Sequence, residues 1–139
     1  MNQFVIATHS TLAQGFTQAI HFFYPEVENL RFLNAYVESQ ELEKDLRSIL
    51  EDIRGENIVV LTDIPGGSVN QVAMKLQREY GFQLAAGINL PMLLDLVSES
   101  QDVGPEALRS ALDTGREGMV YMNDLTPPAE LPPEDDEEL

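Results

Sequence analysis

Two side chains, His9 and Asp63, have the chemical character and the placement to do chemistry together. Each follows a short apolar run: Phe4-Val5-Ile6-Ala7 leads into Thr8-His9-Ser10, and Ile58-Val59-Val60-Leu61 leads into Thr62-Asp63. A carboxylate that accepts the Nδ1–H of an imidazole fixes its tautomer and leaves Nε2 as an outward-pointing nucleophile. It also stabilises the positive charge that develops when that nitrogen is substituted. Beyond Asp63 lies Gly66-Gly67-Ser68, at the start of an expected helix. Backbone N–H groups without Cβ crowding, a helix N-terminus and a hydroxyl donor together make a cradle for a phosphate or carboxylate. A histidine nucleophile, an orienting carboxylate and an anion cradle suit reversible transfer of a phosphoryl group onto and off the imidazole, where catalysis is mostly positioning and charge stabilisation.

Other chemistries lack their parts. With two histidines, no cysteine and no H-x-x-x-H spacing, neither a metal site nor a cofactor is expected. There is no G-x-x-x-x-G-K-[ST] loop, no G-x-G-x-x-G after the first strand and no nucleophile elbow. His21 falls near the C-terminal end of the first expected helix, where an imidazolium complements the helix dipole, and it is given no chemistry.

The two apolar runs, rich in β-branched residues and without alternation, read as central strands covered on both faces. Between and around them the pattern switches to helical spacing. Leu12, Phe16, Ala19, Ile20 and Phe23 mark a first helix, with Thr8 or Ser10 available as its N-cap. A turn at Pro25–Asn29 leads to a shorter strand, Leu30–Asn34, and Ser39 then caps a helix carrying Leu42, Leu46, Ile49, Leu50 and Ile53 that Gly55 closes. Ser68 or Asn70 starts a third helix with Val69, Val72, Ala73, Leu76 and Tyr80 on one stripe, stopped by Gly81. A fourth strand at Phe82–Gly87, a short helix from Asn89-Leu90-Pro91 and another from Gly104-Pro105 to about Gly115 complete the pattern, and Met119-Val120-Tyr121-Met122 could add an edge strand.

Such alternation predicts a single doubly wound α/β domain: a parallel four-stranded sheet in the order 2-1-3-4 with helices on both faces. The first and third strands are then neighbours whose connections leave to opposite faces. That is the switch point at which open α/β sheets bind ligands, and it brings His9 and Asp63 to one sheet edge.

Composition limits the partners. Of 139 residues, 24 are acidic and 8 basic, a formal net charge of −16, which argues against nucleic acid and anionic membranes as partners. From Thr126 the chain turns to PPAELPPEDDEEL, with four prolines and six acidic residues, so residues 126–139 are expected to be a disordered acidic tail on a domain of residues 1–125. Removing those six charges leaves the body at about −10 of the −16, still acidic. No apolar run is long enough to span a membrane and no signal-peptide layout opens the chain, so a cytoplasmic protein is expected.

The chain resembles the IIA components of the mannose/fructose/sorbose class of the bacterial phosphoenolpyruvate-dependent sugar phosphotransferase system. The resemblance runs through roughly Met1 to Met122. It rests on the opening strand ending in Thr8-His9, the D-x-x-G-G-S loop (Asp63, Gly66, Gly67, Ser68) followed by Asn70, the A-G-I-N-L-P-M segment from Ala86 to Met92, and T-G-R-E-G from Thr114 to Gly118. It implies that His9 is transiently phosphorylated, with HPr as donor and a IIB component as acceptor. It also implies that Asp63 is the partner of the histidine and that Thr8, Gly66, Gly67 and Ser68 line the phosphoryl site. The family's homodimer, paired through its C-terminal strand, would give Met119–Met122 a place. Two alternatives stay open: a regulatory protein whose binding is switched by phosphorylation of His9, and a donor subunit for a dihydroxyacetone kinase. The sequence departs from the family in having Val69 where proline usually follows Gly-Gly-Ser, and Ile64-Pro65 before the glycines.

Overall fold

Strands β1 (Asn2–His9) and β3 (Asn57–Thr62) are the two apolar runs, and they lie side by side in parallel, with Val5 opposite Val60 and Ala7 opposite Thr62. The structure, a computed structural model, describes residues 1–125; the expected tail at 126–139 lies outside the described residues. Strand β2 (Leu30–Ala35) pairs with the other side of β1, and β4 (Gln83–Ala86) with β3, giving the parallel order β2-β1-β3-β4.

Between Asn2-Gln3 and Thr8-His9, β1 is apolar on both sides, because each face of the strand is covered. Phe4 and Ile6 face one layer, where they pack with Ala13 and Ile20 of α1 (Leu12–Phe23), Met92, Leu93 and Leu96 of α4 (Leu90–Val97) and Leu108 and Ala111 of α5 (Pro105–Glu117). Val5 and Ala7 face the other layer. Val5 joins Leu46 and Leu50 of α2 (Leu42–Asp52) and Ala73 and Leu76 of α3 (Ser68–Tyr80), while Ala7 meets Leu42 and Val69. Both faces of a parallel sheet are covered because each crossover helix must bury its own apolar stripe against it.

Ends of elements depart from the sequence expectations in informative ways. The N-cap position of α1 is Thr11, but of the two expected caps it is Thr8 whose hydroxyl serves the helix, accepting from the Ala13 N–H at 2.6 Å across the strand-to-helix turn. Ser39 accepts from the Glu41 N–H at 3.0 Å and so orders the approach to α2, whose cap position is Glu41. The run Met119-Val120-Tyr121-Met122 is not a strand. Helix α5 runs on to Glu117, and residues 122–124 form a 3₁₀ turn instead. Among the described residues the segment lies along neither open edge of the sheet, β2 or β4, so its backbone groups join no ladder.

The segments Ala86–Met92 and Thr114–Gly118 meet each other rather than the histidine. Asn89 caps α4 by accepting from the Met92 N–H at 3.2 Å and donates from Nδ2 to the Gly115 carbonyl at 2.7 Å. A Cβ on Gly115 would come 2.9 Å from Asn89 Oδ1 and 3.0 Å from Met92 Cβ, so glycine there lets α5 approach α4. On the opposite layer, α2 and α3 are tied by Arg47 to Glu79 at 2.6 Å and Lys75 to Glu43 at 2.8 Å. The Arg54 guanidinium and the Tyr80 hydroxyl hold Glu51 down to about 2. These exposed pairs add little stability.

Candidate functional site

His9 is the last residue of β1 and Asp63 the first after β3, so the register that pairs Ala7 with Thr62 brings them to one edge. Asp63 Oδ2 accepts twice from His9: from its backbone N–H at 2.9 Å and from Nδ1 of the ring at 3.0 Å. The Ile64 N–H donates to the other carboxylate oxygen at 3.0 Å. Burial, with only 10% of the side chain exposed, raises the Asp63 pKa, but the His9 backbone N–H and the His9 ring outweigh it and hold the carboxyl below its usual range. An ionised carboxylate has only acceptors, so the proton between it and the ring sits on Nδ1, and in the neutral ring Nε2 carries a lone pair. The His9 side chain itself is 39% exposed.

The loop from Asp63 to α3 is built to place Ser68. Gly66, at φ +79°, occupies the left-handed region that favours glycine. Its N–H donates to Asn70 Oδ1 at 3.0 Å, its carbonyl accepts from Gln71 Nε2 at 2.7 Å, and Asn70 in turn donates to Thr62 Oγ1 at 3.1 Å. The Gly67 N–H closes a tight turn onto the Ile64 carbonyl at 3.0 Å, and a Cβ on Gly67 would lie 3.6 Å from His9 Cε1. Val69, fully buried, packs beneath the loop against Ala7, Ala35 and Leu42, a seat that a buried β-branched side chain fills. Ser68 Oγ thereby stands 3.3 Å from His9 Nε2.

Three expected site residues therefore contribute differently from the expectation. The Thr8 hydroxyl does not face the site: it is fully buried and given to the first turn of α1. The Gly66 and Gly67 amides, expected as the anion cradle, are already bonded to Asn70 and Ile64. The donors left at the loop are the Ser68 hydroxyl and the N–H groups of Ser68, Val69 and Asn70, which occupy the first turn of α3 where no helical carbonyl reaches them. Two residues were missed as parts of the site. Asn70 is the strut of the loop, and Tyr36, just past the end of β2, places its ring centroid 5.9 Å from that of His9 and its hydroxyl 2.9 Å from Ser68 Oγ. His21, given no chemistry, lies off the site with Nε2 2.9 Å from the Val27 carbonyl. Among the described residues no group of three His, Asp or Glu side chains comes together that could hold a metal ion, and no helix is long and apolar enough to cross a membrane.

Replacing the strut tests this construction. Asn70→Ala leaves the buried Thr62 hydroxyl and the Gly66 N–H without that partner, an expected loss of about 1–3 kcal/mol of stability by urea denaturation. A loss below about 0.5 kcal/mol would show that water serves both groups equally well.

Comparison with known proteins bears on the fold and the family. No curated protein matches the sequence. Among solved structures, one from Klebsiella pneumoniae, described as a candidate phosphoenolpyruvate-dependent sugar phosphotransferase system permease, superposes with a TM-score of 0.80 at 26% identity, covering 88% of this chain and 91% of its own. The mannose/sorbose-specific IIA subunit of Enterococcus faecalis gives 0.79 at 19% identity over 86% and 92%. The EIIA component from Streptococcus agalactiae gives 0.79 at 23% over 90% and 100%, and at these two identities the likeness speaks for the fold alone. The model of the EIIA-man family, PTS system fructose IIA component, matches residues 3–112, which is well over half of the chain. On that match the chain belongs to the EIIA-man family of phosphotransferase system IIA components.

Proposed function

We propose that the protein is a phosphocarrier in which His9 Nε2 accepts a phosphoryl group from phosphohistidine on HPr and passes it to a IIB component. The observation that carries this reading is the commitment of Nδ1–H to Asp63 at 3.0 Å, which leaves the Nε2 lone pair facing the start of α3. In the transfer, that lone pair forms the N–P bond as the donor's N–P bond breaks, and the bonding pair stays on the donor nitrogen. No proton leaves His9. The ring becomes an imidazolium, and the adjacent Asp63 carboxylate offsets its charge. Ser68 Oγ–H and the free amides of the first turn of α3 are placed to donate to the phosphoryl oxygens.

The reading implies a cytoplasmic protein, since donor and acceptor work there. It also implies a homodimer, in which a second copy would cover the exposed Met119, Tyr121 and Met122. The acidic body favours a basic patch on the donor.

The test is incubation of the purified protein with phosphoenolpyruvate, Enzyme I and HPr, following acid-labile label on the wild type and on His9→Ala. Label on the wild type and none on His9→Ala is the expected result. Equal label on both, or none on the wild type with donors shown competent on a control, overturns it. In the second case the alternative of a regulatory binding protein moves ahead.

A further inference from the structure

We propose that Tyr36 is a positioning residue of the phosphoryl site, acting through Ser68; this rests on the phosphocarrier reading for its role in transfer, though not for the contact itself. Strand β2 runs parallel to β1 with Ala35 opposite His9, so Tyr36 is the first residue to leave the sheet on that side. It does so at φ +67°, a left-handed conformation that a bulky aromatic side chain adopts only when its surroundings impose it. The turn carries the ring over the edge toward the histidine, 5.9 Å between centroids and tilted by 47°. Three strand ends thus contribute to one site: His9 from β1, Tyr36 after β2 and Asp63 after β3.

The hydrogen bonds here have one direction. In the neutral ring Nδ1–H is given to Asp63, so Nε2 can only accept, and its available donor is the Ser68 hydroxyl at 3.3 Å. A hydroxyl that donates to Nε2 has its lone pairs free, and the Tyr36 O–H donates to them at 2.9 Å. The resting site is the chain Tyr36 O–H to Ser68 O–H to Nε2. When the phosphoryl group arrives, the Nε2 lone pair becomes the N–P bond and the Ser68 hydroxyl loses its acceptor. A phosphoryl oxygen enters beside it and takes that bond. Tyr36 holds Ser68 Oγ in place through the exchange, so the hydroxyl turns onto the new acceptor instead of drifting into solvent. At an exposed serine on the first residue of a helix, that restraint has to come from a neighbour.

Tyr36→Phe keeps the ring and removes only the hydroxyl. In the unphosphorylated protein, the ¹⁵N resonance of His9 Nε2 should move toward that of an imidazole nitrogen with a free lone pair, because the Ser68 hydroxyl is no longer held on it. With phospho-HPr as donor, acceptance by Tyr36→Phe should fall about 3–10-fold, the worth of one hydrogen bond. In a Ser68→Ala background the same change should do nothing further, because the tyrosine acts through the serine. An unmoved Nε2 resonance, or effects of the two substitutions that multiply, overturns the proposal. Should the wild type take no label at all, the phosphocarrier reading fails, while the Nε2 resonance still decides whether Tyr36 positions Ser68.

Discussion

Asp63→Asn should accept phosphoryl groups about 10²–10⁴-fold more slowly than the wild type, the range lost when a group that fixes an imidazole tautomer is removed. The substitution is isosteric, and the side chain sits at a strand end with its backbone outside the core, so the fold should survive. What changes is the electronic demand on the ring. The carboxylate can only accept, and from one oxygen it takes both the His9 backbone N–H and Nδ1–H. An amide can turn its NH₂ toward Nδ1, which moves the ring proton to Nε2 and occupies the nucleophilic lone pair. Even with its oxygen toward the ring, an amide leaves the imidazolium of the phosphorylated state without a counter-charge. The carboxyl is also linked to stability. Its folded pKa lies below the ordinary 3.8, so its contribution is fully present above that value and is lost as pH falls through the lower folded value. The stability gap between wild type and Asp63→Asn should therefore be constant near neutrality and close only below pH 3.8. Stopped-flow labelling and urea titrations at several pH values check both statements. A labelling rate within a factor of three of wild type would remove Asp63 from the chemistry.

The pairing of His9 with Asp63 was legible because it follows from long-range order that short patterns encode well. Two unbroken apolar runs must be central strands, the connections between them fix the order 2-1-3-4, and the order fixes which strand ends touch. The side-chain direction of Thr8, which takes its hydroxyl away from the phosphoryl site, was also legible. Period-two alternation puts Thr8 on the face of Phe4 and Ile6, toward α1, and His9 on the face of Val5 and Ala7, toward α3. The occupied amides of Gly66 and Gly67 were not legible, since which carbonyl or side chain takes a loop N–H depends on a turn closing over three or four residues. Tyr36 was hidden for a related reason. The strand Leu30–Ala35 has a weak pattern and a half-exposed edge, so its register against β1, which alone places Tyr36 beside His9, is set by tertiary pairing. Met119–Val120–Tyr121–Met122 has a strand's composition but follows α5 without reaching either open edge of the sheet, and propensity without a paired neighbour does not make a strand.

The sheet that holds the site depends on a core far from it, and Phe4→Ala separates the two. Phe4 lies one residue short of the middle of β1, fully buried, beside Leu30 and Val59 and five positions before His9. Removing a buried phenyl ring forfeits its transfer free energy and leaves a cavity that the surrounding helices α1, α4 and α5 can only partly close, for a loss of about 3–5 kcal/mol. Against a total of about 5–15 kcal/mol for a domain of this kind, that is a large share. The urea midpoint should drop with little change in slope. Phe22, 70% exposed on α1, is the control: its replacement by alanine should change stability by no more than about 0.5 kcal/mol. Because Phe4 touches neither the Asp63 carboxylate nor the loop at α3, the protein that remains folded should accept label on His9 at the wild-type rate. A Phe4→Ala protein that is stable but slow would mean that packing in the α1 layer sets the distance between His9 and Ser68. A loss of stability below about 1 kcal/mol would mean that this layer collapses onto the cavity, and that the opposite layer, with Leu46, Leu50 and Leu76, carries the fold.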